Sequence, residues 1–399
     1  MRYTHAYSRY KRCSITLGII FFIAGNVLIS SNARAATDTN PVPADTTPPV
    51  QTYQYDRARI LRITDVPPLA NDGIPAKNIH IQFVSGPKQG SEMDIKSEND
   101  PNAPAPQLPF AVGQTAIIGH WTTSNGQDRY DIMDIYRIPA LAWITAFFFA
   151  LAILFARRKG FSSIIGLFLT ILILGFYIIP RIASGQDPLI TSLIGSLLIT
   201  ILSLYAAHGF NRETTIAFCS TLITLVITII GALISVRFAA LFGLGSEEAF
   251  YLQGLGQASL NLRGLLLAGI VLGTLGVLDD VTTGQTVAVK ELARANPLLN
   301  YYELYKRGLI IGREHIASLV NTLVLAYAGA SLPLFLLFTI HQTQPLWVIF
   351  NSEMIAQEVV RTLVGSSALI LAVPITTFLA SSYFASRTHY DQHRTPRKD

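Results

Sequence analysis

The sequence predicts a polytopic α-helical membrane protein, with about seven transmembrane helices after an export signal and a small N-terminal β-barrel domain outside the cytoplasm. Half of its 399 residues are hydrophobic and only 14% are charged, whereas an ordinary soluble domain has about a quarter charged residues. Seven apolar spans and a strand-like segment before them are the other two observations. The composition excludes a soluble enzyme and a disordered protein, and the presence of only two cysteines excludes a disulfide scaffold.

Residues 1–35 are predicted to be a signal peptide or a signal anchor. Four basic residues lie between positions 2 and 12, residues 15–29 are an apolar run, and Ala33-Arg34-Ala35 places small residues where a signal peptidase cleaves. Cleavage before Ala36 and retention as a membrane anchor both stay open, and both place the next segment outside. Residues 36–50 contain four prolines and are predicted to form an extended tether.

Residues 51–137 are predicted to form the extracytoplasmic β-barrel domain. Five short runs are rich in β-branched and aromatic residues, and turn residues separate them. Five strands within about 85 residues suit a small closed barrel of the OB or SH3-like kind. Residues 99–109, with four prolines, are predicted to be a loop between two strands. The predicted strands are Tyr55–Thr64, Asn78–Val84, Ser91–Lys96, Thr115–Trp121 and Tyr130–Tyr136.

The charges of this segment argue against nucleic-acid binding. A nucleic-acid binder needs a basic groove with stacking aromatic residues, but the acidic and basic residues of the segment nearly cancel. We expect the barrel either to contact an envelope protein partner or to be a structural spacer, and the sequence leaves both readings open.

Residues 138–386 are predicted to form the transmembrane helical domain, because seven apolar spans there are each long enough to cross about 30 Å of hydrocarbon. With the barrel outside, the inner connections carry thirteen basic residues and the outer connections four, as the positive-inside rule requires. The basic tail 387–399 is therefore placed in the cytoplasm. Pro333 and Pro374 interrupt the last two spans and are candidate kink sites. The spans lie near residues 138–156, 161–180, 188–207, 214–236, 264–286, 316–340 and 362–385.

Asp279 and Asp280 are adjacent acidic residues inside the fifth apolar span. An unpartnered Asp at the centre of a membrane helix costs about 2.5 to 3.5 kcal/mol, and two neighbouring carboxylates cannot both be ionised there cheaply. We therefore expect other groups to compensate this charge and the pair to share a proton when no ligand is bound.

The two acids are predicted to have different surroundings. Asp280 shares one helical stripe with three glycines, which would let another helix approach closely. Asp279 projects about 100° away from Asp280, toward threonine hydroxyls. The helix-packing glycines are Gly269, Gly273 and Gly276, and the threonines are Thr282 and Thr283.

A polar layer shared by the last three spans is predicted at the depth of Asp280. Counted from the nearest cytoplasmic bases at about 1.5 Å per residue, Asp280, Asn321 and Thr377 lie at similar heights. Ser318 adds a hydroxyl to the helix of Asn321. Such a cluster is either an ion or proton pathway or a structural hydrogen-bonded knot. His315, beside two charged residues, is expected to be an interfacial anchor.

No catalytic motif indicates an enzyme. An intramembrane aspartyl protease needs acids on two spans, and the sequence has no Gly-x-Ser-x-Gly, His-Glu-x-x-His or phosphate-binding loop. The histidines lie at opposite ends of spans, so we expect neither a zinc site nor a cofactor. Residues 246–263 are either an interfacial lid or an ordinary amphipathic connector. Glu353 and Arg361 are expected to form an ion-paired helix rather than a site.

Three blocks of the sequence resemble one family. They are LNLRGLLLAGIVLGTLGVLDDVTTGQTVAVKELARANP (Leu260–Pro297), IGREHIASLVNTLVLAYAGASLPLFLLF (Ile311–Phe338) and NSEMIAQEVVRTLVGSSALILAVPITT (Asn351–Thr377). Together they resemble the YibE/F family of bacterial multi-pass membrane proteins, over most of residues 138–386. The resemblance implies a bacterial inner-membrane location. It assigns no catalytic or ligand-binding residue, because the activity of the family is unestablished.

Two functional hypotheses follow from the sequence. The first is transport of an ion or small solute across the lipid bilayer through the Asp279 and Asp280 pair, with Asn321 and Thr282 as polar partners. The second is a non-catalytic scaffold whose outer barrel recruits an envelope partner. An enzyme acting on lipid is a third reading, supported by the acid pair alone.

Overall fold

The computed structural model describes residues 54–66, 76–97, 110–123, 126–254, 260–340 and 345–392. The predicted signal, the tether and the loop of residues 99–109 lie outside the described residues, as does the basic tail from residue 393 onward. The chain divides into two compact units, with the boundary between Leu151 and Ala152. Each unit is described by itself below.

The N-terminal unit contains one five-stranded antiparallel sheet. All five predicted strands are present, with ends that differ from the predicted ones by at most two residues. Their order across the sheet is β3-β2-β1-β4-β5. The strands are β1 (Gln54–Val66), β2 (Ala76–Phe83), β3 (Glu92–Ser97), β4 (Thr115–Thr122) and β5 (Asp128–Ile135).

The central strand β1 sets the core of the sheet. Period-two alternation turns Ala58 and Ile60 inward. Ala58 pairs with Phe83 on one side and with Ala116 on the other, and all three are buried. The register shifts between Ile60 and Arg62, and such a bulge increases the local bend of a strand.

The sheet is a half-barrel and not the closed barrel that the sequence predicts. Closure would require pairing between the two outer strands, and the described residues of β3 and β5 form no ladder. Ser85-Gly86-Pro87 begins the turn between β2 and β3. Gly86 has φ +88° there, and a Cβ at this position would overlap the carboxylate of Asp56.

The rest of the described chain is helical, and six of its helical stretches are long and apolar enough to cross a membrane. They correspond to the seven predicted spans, because the first stretch (residues 138–183) contains two of them. This stretch comprises α1 (Ile138–Ile173), a π-helical turn (Leu174–Ile178) and α2 (Ile179–Ala183). The later helices are α3 (Pro188–His208), α4 (Arg212–Phe238), α5 (Glu247–Gly254), α6 (Leu262–Ala295), α7 (Tyr301–Ala330), α8 (Leu332–Ile340), α9 (Leu346–Asn351) and α10 (Glu353–Gln392).

Helix α1 is interrupted at Arg157, the position between the first two predicted spans. Arg157 has φ 52° and ψ −125°, which no helical residue adopts. A Cβ on Gly160 would overlap the carbonyl oxygen of Ala152, although residues eight apart in a straight helix lie about 12 Å apart along the axis. The helix path therefore turns back on itself at Arg157.

Helices α6 and α10 form the centre of the helical unit. In each, 56% of the most apolar stretch is buried, compared with 6% in α7. Helix α10 packs against α4, α6 and α7. Gly312 of α7 makes a close approach possible, because a Cβ there would overlap Val373 of α10.

Only one of the two prolines marks a break. Helix α7 ends at Ala330 and α8 begins at Leu332, so the predicted sixth span is broken immediately before Pro333. Pro333 is the second residue of α8, where its missing N–H costs nothing. Pro374 lies inside α10, which continues through it as one helix.

Candidate functional site

A cavity of about 430 Å³ lies between α1, α3 and α6, and we call it the Asp cavity. Helix α6 contributes Asp279, Asp280 and Thr283 to its wall, and α3 contributes His208. Further hydroxyls come from Ser163 and Thr170 of α1 and from Ser203 of α3. The structure therefore brings both predicted acids to one cavity inside a helical unit of membrane-spanning character.

The helical repeat of α6 explains how adjacent acids reach the same cavity. Asp279 and Asp280 are separated by about 100°, and the cavity extends across both directions. Gly276 precedes Asp280 by four residues and also lines the cavity, with open space where a Cβ would point. The missing side chain thus leaves room in front of Asp280.

Two polar atoms of the cavity wall are buried without a hydrogen-bond partner among the described residues. They are Oδ1 of Asp279 and Oγ1 of Thr283. The Thr221 hydroxyl of α4 lies within reach of the Asp279 carboxyl group, so only part of that carboxyl is satisfied. Leaving a buried polar group unpaired costs about 1 to 3 kcal/mol, and more when it is charged. The cavity therefore presents oxygen atoms that a cation or a proton can satisfy.

The neighbours of the acid pair supply a proton-carrying group and a polar anchor. His208, at the end of α3, lies within electrostatic range of Asp280 and Lys159. Thr282 is fully buried, and its hydroxyl lies 2.8 Å from the Thr221 hydroxyl. The contact between the Thr282 and Thr221 hydroxyls joins α6 to α4 next to the two acids.

Helices α6, α7 and α10 are joined in a polar layer by Gln285, and not by the predicted Asp280 and Asn321. Nε2 of Gln285 donates to the Gly308 carbonyl of α7 at 2.9 Å and to the Thr377 hydroxyl of α10 at 2.8 Å. Gln285 and Thr377 are both buried. Asn321 and Ser318 are exposed on α7 and do not line the Asp cavity, so of the predicted layer only Thr377 lies in it.

The three glycines of the α6 stripe lie on an open face of the described bundle. A Cβ at Gly269 or Gly276 would meet nothing within 4 Å, and one at Gly273 would meet only the Tyr327 hydroxyl, at 3.0 Å. The close helix approach predicted for this stripe occurs instead at Gly308 and Gly312 of α7.

Glu353 and Arg361 do not pair with each other. Oε1 of Glu353 accepts hydrogen bonds from the backbone N–H groups of residues 242–244 at 2.6 to 3.1 Å, and Gln357 donates to the same oxygen at 3.0 Å. Arg361 instead forms an ion pair with Glu358 at 2.7 Å. The expectation of an ion pair on one helix was therefore right for Arg361 and wrong for Glu353, which holds the loop after α4.

Sequence reasoning missed His208 and Gln285. His208 was treated as an isolated histidine at a span end, although the end of α3 and the middle of α6 meet at the cavity. Gln285 had a detectable signal, since an amide inside an apolar span requires a partner there. No three His, Cys, Asp or Glu side chains of the described residues are placed to share a metal ion.

Comparison with known families identifies the helical part of the chain. The family model described as YibE/F-like protein matches residues 144–386. The chain belongs to the YibE/F family. The match covers every residue of the Asp cavity and stops short of the five-stranded sheet. A search of curated proteins and a search of solved structures returned no match. Family membership and the six apolar helices together indicate a multi-pass membrane protein.

Proposed function

We propose that this YibE/F family member transports a cation or another small ionic solute, and that the Asp cavity is its binding site. One observation carries the proposal: a cavity of about 430 Å³ between apolar helices is lined by two adjacent carboxyl groups. Such groups are expensive inside a membrane and mark ion or proton pathways.

The residues of the cavity suit a cation or a proton. Oδ1 of Asp279 and Oγ1 of Thr283 have no partner among the described residues and can accept from or coordinate a ligand. Asp280 adds a second carboxyl group, and a bound cation would relieve the repulsion between the two. His208 lines the same cavity as Asp280 and can take up or release a proton while the ligand enters or leaves.

Our proposal includes a specific orientation in the bacterial inner membrane. The turn at Arg157 supports seven crossings by splitting the first apolar stretch into two. Seven crossings would put the sheet and the C-terminus on opposite sides of the membrane, and our proposal places the sheet outside and the C-terminus in the cytoplasm. The thirteen inner and four outer basic residues support the same orientation.

Flux through proteoliposomes tests the transport role. Full-length protein and the double variant Asp279→Asn/Asp280→Asn are compared for proton and metal-ion flux across a pH gradient. Glu291→Gln, on the same helix but outside the cavity, is the matched control. We expect flux in the wild type and in the control, and loss of at least about 90% in the double variant.

Circular dichroism and gel filtration establish that the double variant keeps its fold. Equal flux in the double variant and the wild type would refute the proposal, and so would a wild-type protein that moves none of the ions offered.

An open sheet supports a second candidate, in which the extracytoplasmic unit recruits an envelope protein. The described residues of β3 and β5 approach each other without forming a ladder, and the unpaired backbone groups of such edges can accept a strand from a partner. Deleting residues 54–135 should leave membrane insertion intact and remove a crosslinked partner. Retention of every crosslink would contradict this role.

A further inference from the structure

A second cavity, of about 700 Å³, lies at the N-terminal end of α6, and we call it the α5 cavity. Helix α5 forms one wall of it, and the first turns of α6 and α10 form others. Ala330 at the end of α7 and Leu334 of α8 complete the lining. Its volume lies in the range of sites that enclose organic ligands, roughly 300 to 1,000 Å³.

The lining of the α5 cavity carries an excess of negative charge. Glu247, Glu248 and Glu358 face one basic residue, Arg361. Glu358 is already paired with Arg361 at 2.7 Å, and Nε of Arg361 is enclosed by protein. The carboxylates of Glu247 and Glu248 are exposed and form no ion pair within the described residues. Among the described residues, the negative charges of Glu247 and Glu248 at the cavity wall therefore have no basic partner.

Much of the remaining lining is apolar and suits the body of an organic molecule. Leu252, Leu262 and Leu265 come from α5 and α6, and Pro333 and Met354 come from α8 and α10. A bare metal ion would need oxygen ligands on several sides, whereas this lining combines a few carboxylates with many hydrocarbon side chains. The composition matches a ligand with a positive charge and an apolar body.

The cavity is preformed by contacts at its base. Glu353 fixes residues 242–244 through three backbone hydrogen bonds. Gln357, only 5% exposed, packs against Gly245, where a Cβ would lie 2.6 Å from the side-chain amide carbon. These contacts fix residues 242–245, just before α5, against α10. Little conformational entropy of this segment is therefore lost when a ligand binds.

We propose that the α5 cavity binds an organic cation with an apolar body. The carboxylates of Glu247 and Glu248 attract the positive charge of the ligand, and the leucine side chains of the wall bury its apolar part. The site differs from the Asp cavity in every lining residue and does not depend on transport activity.

Two ions of equal shape and opposite charge provide the test. Full-length protein in nanodiscs is titrated with tetraphenylphosphonium and, separately, with tetraphenylborate, and binding to empty nanodiscs is subtracted. We expect saturable binding of the cation alone. Removing one carboxylate within about 4 Å of the charge should weaken binding about fivefold, so Glu247→Gln/Glu248→Gln should weaken it more than tenfold.

Three further variants separate the possible results. Glu291→Gln removes a carboxylate outside both cavities and should leave binding unchanged. Ala330→Trp fills the cavity without altering its charge and should also weaken binding more than tenfold. Asp279→Asn/Asp280→Asn should bind tetraphenylphosphonium normally, which distinguishes this site from the transport site. Equal binding of the two ions, or wild-type affinity in the Glu247→Gln/Glu248→Gln variant, would overturn the proposal.

Discussion

The contact between Gln285 and Thr377 offers the sharpest test of how the helical unit is held together. Gln285→Met removes both donated hydrogen bonds and keeps a side chain of similar length, and Thr377→Val removes only the hydroxyl. Hydrogen bonds between membrane helices are worth about 0.6 kcal/mol on average and at most about 1.7 kcal/mol. Because Gln285 is only 1% exposed and its bond to Thr377 is 2.8 Å long, we expect a coupling energy of about 1 kcal/mol.

A double-mutant cycle measures this coupling directly. The wild type, both single variants and the double variant are unfolded reversibly by SDS in mixed micelles, and the four unfolding free energies are compared. Asn321→Leu serves as the control, since Asn321 is exposed and should show no coupling to Thr377. Strictly additive losses for Gln285 and Thr377, or a coupling between Asn321 and Thr377, would refute the assignment of the polar layer to Gln285.

Three further outcomes are expected. Gly312→Leu should destabilise the protein by about 1 to 3 kcal/mol in the same SDS titration, because the new side chain overlaps α10. Gly269→Leu is the control. Its side chain would point into open space, so it should change the unfolding free energy by less than about 0.5 kcal/mol. Glu353→Gln should speed amide hydrogen exchange at the backbone groups it now binds. The two carboxylates of β3 raise the pKa of His80 above 6.5. The contribution of His80 to stability is therefore complete below pH 6.5 and is lost as the pH rises through the raised pKa. ¹⁵N-histidine NMR should show the raised pKa of His80, and Asp94→Asn should lower it again.

The strands and helices could be predicted from the sequence because each type of element has its own hydrophobic repeat. All five strands and the apolar spans followed from alternation and run length, and Arg157 fell between two predicted spans. Closure of the barrel could not be predicted in the same way. Closure depends on whether β3 and β5 form a ladder, and in the described residues they approach each other without doing so. The two strands are separated in sequence and are related only through the curvature of the whole sheet.

The candidate site shows the same division between local and long-range information. Asp279 and Asp280 could be found from sequence because the cost of a carboxylate in an apolar helix is local. Their neighbours could not, since depth along a helix does not determine which face a residue presents. Asn321 lies exposed on α7, whereas His208 reaches the cavity from the end of α3.

The two cavities lie on one helix, and the segment between them limits any transport route. Leu266 lines the α5 cavity and Leu272 lines the Asp cavity, so about 9 Å of helix separates them. Ile270 and Val271 within that segment are completely buried, and a solute passing along α6 would have to displace them. Polar contacts from α6 to its neighbours occur on both sides of this segment, at Arg263 before it and at Thr282 and Gln285 after it. Within the segment, packing of buried apolar side chains holds α6 in place, so a path between the cavities would require those side chains to repack.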